Sequence, residues 1–253
     1  MTSPNNFSVK DRTILITGGS SGFGLHFANM LAARGANVVL AARRIKALEA
    51  AVRDIGEAGG HAKAIELDVT QPANVAQAIA DLPTLHVVVN NAGISGESRA
   101  IDCEADEWRS TFDVNVNAAF EVSRCAARRM REQGQRGSII NIASITGVRP
   151  GAGAAAYSAS KAAVIHMTKA LAAEWARYGV RINAIAPGYF ETDLTREFLA
   201  SDFGKQMRNR IPQRRFGELA ELDGPLLLLA SDASSYMTGS VIAVDGGHLS
   251  SHL

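Results

Sequence analysis

The sequence contains few of the features that would place a protein outside the cytoplasm. Only Cys103 and Cys125 occur among the 253 residues, which excludes a disulfide framework and fits a reducing compartment. No apolar run approaches the ~18 residues of a membrane span; the longest strong one is Leu226–Ala230. The first twelve residues lack a basic stretch followed by an apolar one, so we expect no secretory signal. A cytoplasmic globular protein without a membrane partner is predicted.

Charge and histidine placement exclude two further classes of site. The 26 basic side chains nearly balance the 25 acidic ones, which gives no reason to expect a nucleic-acid partner. The six histidines show no metal-ligand spacing with cysteine or carboxylate residues, and we therefore predict no catalytic metal.

Short β-branched runs alternate with helical patterns along nearly the whole chain. The strand candidates are mostly continuous apolar runs, typical of strands covered on both faces: Thr13–Thr17, Asn37–Ala41, Ala62–Asp68, Leu85–Asn90, Ser138–Ala143, Val180–Ala186 and Val241–Val244. The alternation predicts an α/β fold in one domain, a doubly wound parallel sheet of about seven strands with helices on both faces. We expect the domain to span residues 11–248, after a flexible start (1–10) and before a short tail (249–253).

One segment, residues 189–216, breaks the alternation. Its apolar residues recur at spacings of four or five with charges between them, which predicts one or two amphipathic helices inserted after a strand. Such insertions form lids over the sites of α/β enzymes. A surface helix pair packed on the core is an equally good interpretation.

The first strand runs directly into a glycine-rich turn, Gly18-Gly19-Ser20-Ser21-Gly22-Phe23-Gly24, and a helical pattern follows at once. Glycines let a phosphate approach the backbone without interference from a Cβ, and the start of a helix offers free N–H groups and a positive dipole end. The position of this turn predicts a dinucleotide pyrophosphate site.

The second strand ends in Ala42-Arg43-Arg44 and has no carboxylate there. Dinucleotide sites that select NAD usually carry an acidic residue at this point to hold the ribose 2′-hydroxyl. Arg43 can instead face a 2′-phosphate, so we expect NADP(H) to be preferred and NAD(H) to remain usable. The alternative is that both arginines simply begin a solvated helix.

A serine, a tyrosine and a lysine follow the fifth strand. Tyr157 and Lys161 are four residues apart, so on a helix they share one face. A neighbouring ammonium favours the phenolate and would lower the pKa of the tyrosine toward neutrality. Ser144 lies thirteen residues before Tyr157, at the carboxyl end of a strand, where its hydroxyl can polarise a carbonyl.

Taken together, the motifs resemble those of the classical short-chain dehydrogenase/reductase family over about residues 11–248. They stand in the family's order as Thr17-Gly18-x-x-x-Gly22-x-Gly24, Asp68-Val69, Asn90-Asn91-Ala92-Gly93, Asn115, Ser144, Tyr157-x-x-x-Lys161 and Pro187-Gly188-x-x-x-Thr192. Gly19 stands where the family often has alanine, Phe23 where it has isoleucine or leucine, and Ser21 where many NADP-preferring members are basic.

The resemblance implies a Rossmann-type fold and a set of roles. In the family the tyrosine exchanges a proton with the substrate oxygen, the lysine binds the nicotinamide ribose, the serine positions the carbonyl and the asparagine supports a proton relay. These roles would fall to Tyr157, Lys161, Ser144 and Asn115. The implied cofactor contacts, besides Tyr157 and Lys161, are Gly18, Ser20, Ser21, Gly22, Phe23, Gly24, Arg43, Asp68, Val69, Asn90, Ala92, Gly93, Pro187, Gly188, Phe190 and Thr192.

The expected activity is the NAD(P)-dependent interconversion of a ketone and a secondary alcohol. The expected pocket lining is largely apolar, which favours a hydrophobic small-molecule substrate over a sugar: Ile94, Ile145, Val148, Tyr189, Phe190, Leu194 and Phe198. Reduction of a 3-oxoacyl group on acyl carrier protein is the alternative, with the arginines between Arg124 and Arg136 as a carrier-docking site or as an ordinary solvated helix end. A non-catalytic sensor of dinucleotides is a remote one.

The family resemblance also implies an assembly. Its members are usually tetramers built on two long helices from each subunit. Asp106–Met130 and Tyr157–Tyr178 would supply these helices in a homotetramer.

Overall fold

The computed structural model describes residues 6–96, 98–151, 153–192, 195 and 199–251. Seven parallel strands form one sheet in the order β3-β2-β1-β4-β5-β6-β7. They are β1 (Thr13–Thr17), β2 (Asn37–Ala42), β3 (His61–Glu66), β4 (Val87–Asn90), β5 (Gly137–Ile142), β6 (Val180–Pro187) and β7 (Val241–Val244). The predicted doubly wound α/β fold is thereby confirmed.

Helices connect the strands and cover both faces of the sheet. They are α1 (Gly22–Ala33), α2 (Ile45–Glu57), α3 (Pro72–Ala80), α4 (Ala105–Phe112), α5 (Ala118–Glu132), α6 (Ala155–Trp175), α7 (Asp202–Arg210) and α8 (Asp223–Ala230). A π-helical turn, Asp113–Asn117, joins α4 to α5. Within the described ranges, no helix is both long enough and apolar enough to cross a bilayer.

Alternate residues of each central strand feed two apolar layers. In β1, Ile14 and Ile16 pack with Phe27 and Leu31 of α1 on one face, whereas Leu15 packs with Val88 and Ile139 on the other. This explains why the central strands are continuous apolar runs: each residue faces one layer or the other. A rigid two-sided sheet fixes the positions of its strand ends.

Strand boundaries differ from the predicted ones by one or two residues. The third strand ends at Glu66 rather than Asp68, because the Asp68 carboxylate accepts the backbone N–H and the hydroxyl of Thr70 at 2.9 and 2.7 Å and starts a turn. An apolar pattern continues through such a turn, so periodicity alone does not reveal where pairing stops.

The expected lid is described only in part. Its residues 202–210 form α7, and Phe190 pairs with Gly217 in an isolated bridge. The predicted pocket residues Leu194 and Phe198 lie outside the described residues, as do residues 1–5, 252 and 253.

Candidate active site

The strand order reverses between β1 and β4, where a crevice opens at the carboxyl ends of a doubly wound sheet. The glycine-rich turn lies at this edge, directly after β1. Gly18 and Gly22 have positive φ values of 66° and 55°, and α1 begins at Gly22. A Cβ on Gly24 would stand 2.4 Å from the carbonyl oxygen of Gly18, so the helix can approach the turn this closely only with glycine there.

The amino end of α1 is free to receive an anion. Ser21 is extended (φ −169°), its hydroxyl caps no backbone N–H, and no acidic residue lies in the first turn. A Cβ built on Gly22 meets no atom within 4 Å, so the space above the turn is open. Unpaired N–H groups, the helix dipole and open space together fit a pyrophosphate group.

The turn is braced by the residues that follow β4. The side-chain amide of Asn91 donates to the carbonyl oxygens of Thr17 and Gly18 at 3.0 and 3.1 Å. The hydroxyl of Thr17 accepts the backbone N–H groups of Asn91 and Ala92, both at 3.1 Å. The Asn-Asn-Ala-Gly motif thus fixes the shape of the glycine-rich turn Gly18–Gly24 (the phosphate turn). The same motif lies beside the expected cofactor.

Two arginines follow β2, and they occupy different places. Arg44 donates from its guanidinium to the hydroxyls of Ser20 and Ser21 at 2.9 and 2.8 Å, so its charge lies against the phosphate turn. Arg43 is exposed and acts on Asp68. Sequence reasoning selected Arg43 alone and missed Arg44. The sequence does show a second arginine next to Arg43. Only the fold shows which of the two side chains turns back toward the glycines.

Asp68 is held in the carboxylate form at the end of β3. The Thr70 hydroxyl and backbone N–H, followed by the nearby charge of Arg43, lower the pKa of Asp68 below its usual value despite the opposing effect of burial. Val69 packs on the apolar layer beneath. The pair lies beside the end of β2, where the adenosine half of a dinucleotide is expected.

Asn90, expected to lie along the cofactor, has its side chain inside the protein. Its amide points inward, where the nitrogen donates to Ser123 and Asn141 side-chain oxygens, both at 2.8 Å. The residue is 5% exposed. Its side chain therefore ties β4 to β5 and α5, and only its backbone lies along the crevice.

The four residues expected to be catalytic come together in space near the carboxyl end of β5. Asn115 lies in the π-helical turn and is 2% exposed. Its amide nitrogen donates to the Ile94 carbonyl and the Ser160 hydroxyl, each at 2.9 Å, and its oxygen accepts the Ile94 N–H at 2.8 Å. Ser160 in turn donates to the carbonyl oxygen of Tyr157 at 2.7 Å. One buried chain of hydrogen bonds therefore connects α6 to the loop after β4.

Lys161 points into the same space as Asn115. A Cβ on Gly93 would stand 3.2 Å from Asn115 Oδ1 and 3.4 Å from Lys161 Nζ, so glycine keeps the space between the crevice and both groups. Lys161 Nζ donates to the Ile142 carbonyl at 2.8 Å and lies 5.6 Å from the ring centroid of Tyr157. Burial lowers the pKa of Lys161 to about 8.

The Ser144 hydroxyl lies close enough to Tyr157 to act on its phenol. Burial raises the pKa of the Tyr157 phenol, and the Ser144 hydroxyl opposes that rise. The net shift is opposite to the expected lowering, because burial outweighs the effect of the Ser144 hydroxyl. Ser144 Oγ accepts from the backbone N–H and the hydroxyl of Thr146 at 3.1 and 2.9 Å, which leaves its own proton for Tyr157 or a substrate.

The loop after β6 closes the crevice on the side opposite β2. Gly188 donates its N–H to the Val244 carbonyl at 2.8 Å, continuing the register set by Pro187 at the strand end. The Phe190 ring meets the Phe23 ring edge-on, with centroids 5.7 Å apart, and so joins this loop to the phosphate turn. The backbone N–H of Thr192 donates to Thr195 Oγ1 at 2.8 Å.

Two features defined by the fold and the site, a dinucleotide crevice and a Ser–Tyr–Lys–Asn cluster at its mouth, are those of a nicotinamide-dependent oxidoreductase. Comparison with known proteins agrees. Residues 18–248 match the family model described as enoyl-(acyl carrier protein) reductase. The chain belongs to the short-chain dehydrogenase/reductase family, whose members use NAD(P) and act on hydroxyl or keto compounds.

Several relatives are similar over their full length. The chain is 37% identical to gluconate 5-dehydrogenase of Gluconobacter oxydans, covering 98% of both chains. It is 41% identical to a sorbose reductase of Schizosaccharomyces pombe, over 96% of this chain and 98% of the relative. It is 36% identical to a 3-oxoacyl-[acyl-carrier-protein] reductase of Chlamydia trachomatis, over 94% and 97%.

A solved structure shows the same fold. It is gluconate 5-dehydrogenase of Burkholderia cenocepacia in complex with NADP and tartrate, 36% identical over 98% of both chains, with a TM-score of 0.93.

Proposed function

We propose that this protein interconverts a secondary alcohol and a ketone, with Tyr157 as the general acid and base, Ser144 as the group that positions the substrate oxygen, and Lys161 and Asn115 as its supports. One observation carries the proposal: Ser144, just after β5, lies close enough to Tyr157 of α6 to act on its phenol, and Lys161 Nζ lies 5.6 Å from the ring centroid of Tyr157. The bound nicotinamide supplies or accepts the hydride.

The proton path follows from the contacts of these side chains. During reduction Tyr157 gives its proton to the substrate oxygen while Ser144 donates a hydrogen bond to that oxygen. The resulting phenolate is stabilised by the ammonium of Lys161. Asn115 holds the Ile94 carbonyl in place beside Lys161. A water bound there would return a proton to Tyr157. Oxidation runs the same steps in reverse.

NADP(H) is the cofactor that the charges favour, with NAD(H) usable. Arg44 lies on the hydroxyls of Ser20 and Ser21, and Arg43 lies beside Asp68. Two guanidinium groups therefore flank the place where a 2′-phosphate would stand, and no acidic residue follows β2 to hold a 2′-hydroxyl.

The substrate that we propose is a polyhydroxylated compound, in particular a sugar acid, and so more polar than the apolar carbonyl compound that the sequence predicts. Ile145 and Phe190, two members of the expected apolar lining, are 3% and 4% exposed and pack inside the protein. The relatives named for gluconate and sorbose also support a polyhydroxylated substrate.

Reduction of a carrier-linked 3-oxoacyl group is the second candidate, supported by the similarity to the chlamydial reductase. The arginines expected to dock the carrier are partly engaged within the chain. Arg124 pairs with Glu121, Arg129 donates to the Leu82 carbonyl at 2.8 Å, and Arg131 lies 5.1 Å from the ring centroid of Tyr178. These contacts favour a structural surface over a docking site. A non-catalytic sensor would not need the buried Asn115–Ser160–Tyr157 chain.

The test is a panel of substrates followed by nicotinamide absorbance, with NADPH and NADH side by side in one direction and their oxidised forms in the other. The panel contains D-gluconate, sorbose, galactitol, cyclohexanone and an acetoacetyl thioester. Fastest turnover of a polyol or sugar acid supports the proposal. Preference for the thioester would replace it by the second candidate, and preference for cyclohexanone would restore an apolar site.

Tyr157→Phe tests the chemical step. The substitution removes the proton donor and keeps the ring, so we expect turnover to fall by roughly a thousandfold or more. Cofactor affinity, measured by fluorescence titration, should stay within a few-fold. A variant that keeps most of its activity would remove Tyr157 from the proposed role.

We also propose a cytoplasmic homotetramer. The α4–α5 and α6 helices are the expected interface, and Trp108 and Phe120 on the first pair are 42% and 40% exposed in the single chain. Light scattering on the purified protein measures the assembly.

A further inference from the structure

The chain segment that follows β7 makes a tight turn instead of leading away from the sheet. Gly246 and Gly247 have positive φ values of 62° and 87°, and His248–Ser250 form one 3₁₀ turn. The Asp245 carboxylate accepts the backbone N–H groups of Gly247 and Leu249 at 2.9 and 2.7 Å. The course of this C-terminal segment, Asp245–Ser251, is therefore set by its own local bonds.

Arg149 holds the segment from the loop between Ser144 and Tyr157. Its two terminal nitrogens donate to the carbonyl oxygens of Ser251 and His248 at 2.7 and 2.6 Å. Among the described residues it forms no ion pair with a carboxylate. The partly buried guanidinium of Arg149 thus donates to two backbone carbonyls. Arg149 lies five residues after the candidate catalytic Ser144.

The same segment contacts the loop after β6. His248 is 9% exposed, and its ring meets the Tyr189 ring edge-on, with centroids 5.6 Å apart. Burial, and then the charge of Arg149, lowers the pKa of His248, so the ring is neutral at pH 7 and does not repel the guanidinium. The Tyr189 hydroxyl has no hydrogen-bond partner in the part of the chain that the structure describes.

A third contact reaches the described part of the lid. The Ser251 hydroxyl donates to the carbonyl oxygen of Arg210, the last residue of α7, at 3.3 Å. Gln213 donates its backbone N–H to the Gly246 carbonyl at 3.2 Å. The C-terminal segment therefore joins the loops after β5 and β6 to the end of α7.

We propose that the C-terminal segment forms one wall of the substrate site and that Arg149 is the positioning residue that holds it there. Strands β5, β6 and β7 are neighbours in the sheet, so the residues after them meet at one edge, on the side away from the adenosine half of the crevice. There the Tyr189 hydroxyl, which has no hydrogen-bond partner among the described residues, offers a polar contact to a substrate. The inference rests on the proposed function in placing the substrate carbonyl between Ser144 and Tyr157.

The experiment compares Arg149→Met, a chain ending at Gly247, and the two changes combined, in the full cofactor-bound enzyme. The probe is D-gluconate with NADP⁺, or the panel compound that the unaltered enzyme turns over fastest. Each single change should lower kcat/KM for the substrate by roughly tenfold to a hundredfold, mainly through KM. The KM for NADP⁺ should stay within about twofold. Because both changes undo one contact, the combined variant should be no worse than the poorer single one.

Two further variants separate this role from a general loss of structure. Arg149→Lys keeps the charge but loses the two-pronged donor, so it should restore only part of the affinity. Arg53→Met removes an exposed arginine of α2 and should change none of these quantities. Amide hydrogen exchange of residues 245–251 should accelerate in both Arg149 variants and not in the α2 control.

The outcomes are distinguishable. Faster exchange with an unchanged substrate KM would make the segment a structural cap and overturn the proposal. Additive losses in the combined variant would show that Arg149 acts elsewhere. If the unaltered enzyme turned over nothing in the panel, the proposed function would fail, while unchanged exchange in the Arg149 variants would count against the positioning role by itself.

Discussion

Arg44 and Arg43 show how two adjacent residues of one type take different places in the fold. It is adjacent in sequence to Arg43, and both are exposed, yet only Arg44 reaches the hydroxyls of Ser20 and Ser21. The side chain of the first residue after β2 and that of the next one leave the backbone in different directions. Arg44 therefore lies over the phosphate turn while Arg43 lies toward Asp68.

Arg44→Ala should raise the KM for NADPH by roughly tenfold or more and change the KM for NADH little, because a charge-assisted contact to the 2′-phosphate is lost. Steady-state kinetics with both cofactors measure the difference. Arg43→Ala should act in the same direction, and Arg53→Ala, also exposed, serves as the control. Equal losses with NADPH and NADH would mean that neither arginine reads the 2′-phosphate.

At the scale of elements, the π-helical turn between α4 and α5 has the clearest link to the site. It widens the helix at Asp113–Asn117 and places Asn115 within reach of both the Ile94 backbone and Ser160. Such turns are uncommon and are frequent at functional sites. The residues around Asn115 carry no pattern that announces one, so the sequence predicted only a continuous helix here.

Ser160→Ala tests the bond that joins this turn to α6. The hydroxyl links Asn115 to the Tyr157 carbonyl at 2.9 and 2.7 Å, and its loss should cost about 1 kcal/mol of stability and reduce kcat severalfold. Thermal unfolding and kcat are the measurements. Ser158→Ala is the matched control, because the buried Ser158 hydroxyl has no partner among the described residues. A Ser160 variant as active as the Ser158 one would separate the bond from catalysis.

For the whole molecule, the half-buried His86 and the buried His248 should make stability depend on pH. Burial lowers the pKa of His86 from 6.5, and its Nδ1 accepts the Thr13 N–H at 2.9 Å at the start of β1. Burial acts in the same direction on His248. The unfolded chain therefore binds more protons than the folded one as the pH falls through 6.5. Stability should be complete above that pH and decline below it.

Melting temperatures between pH 7.5 and 5.5 test this expectation. His86→Asn keeps a side-chain acceptor for Thr13 but does not titrate, so its melting temperature should fall less steeply with acidification than that of the unaltered protein. Parallel slopes for the two proteins would rule out His86 as a source of the pH dependence.

The sequence by itself determined the sheet, the glycine turn and the Tyr157–Lys161 pair of the candidate catalytic cluster. These depend on features that lie close together in the chain: two-sided apolar runs, glycines at a strand end, and a tyrosine and lysine four residues apart on one helix. Strand limits followed within one or two residues, since local turn chemistry such as the Asp68–Thr70 bonds sets them.

Only the tertiary structure decided which side chains complete the site. The inward turn of the Asn90 amide, the contact of Arg44 with the phosphate turn, and the hold of Arg149 on the C-terminal segment each join residues that are far apart in the sequence. The burial that raises the pKa of Tyr157 and lowers that of Lys161 likewise comes from packing of several elements. Such contacts depend on where the sheet brings its strand ends together, and no local pattern encodes them.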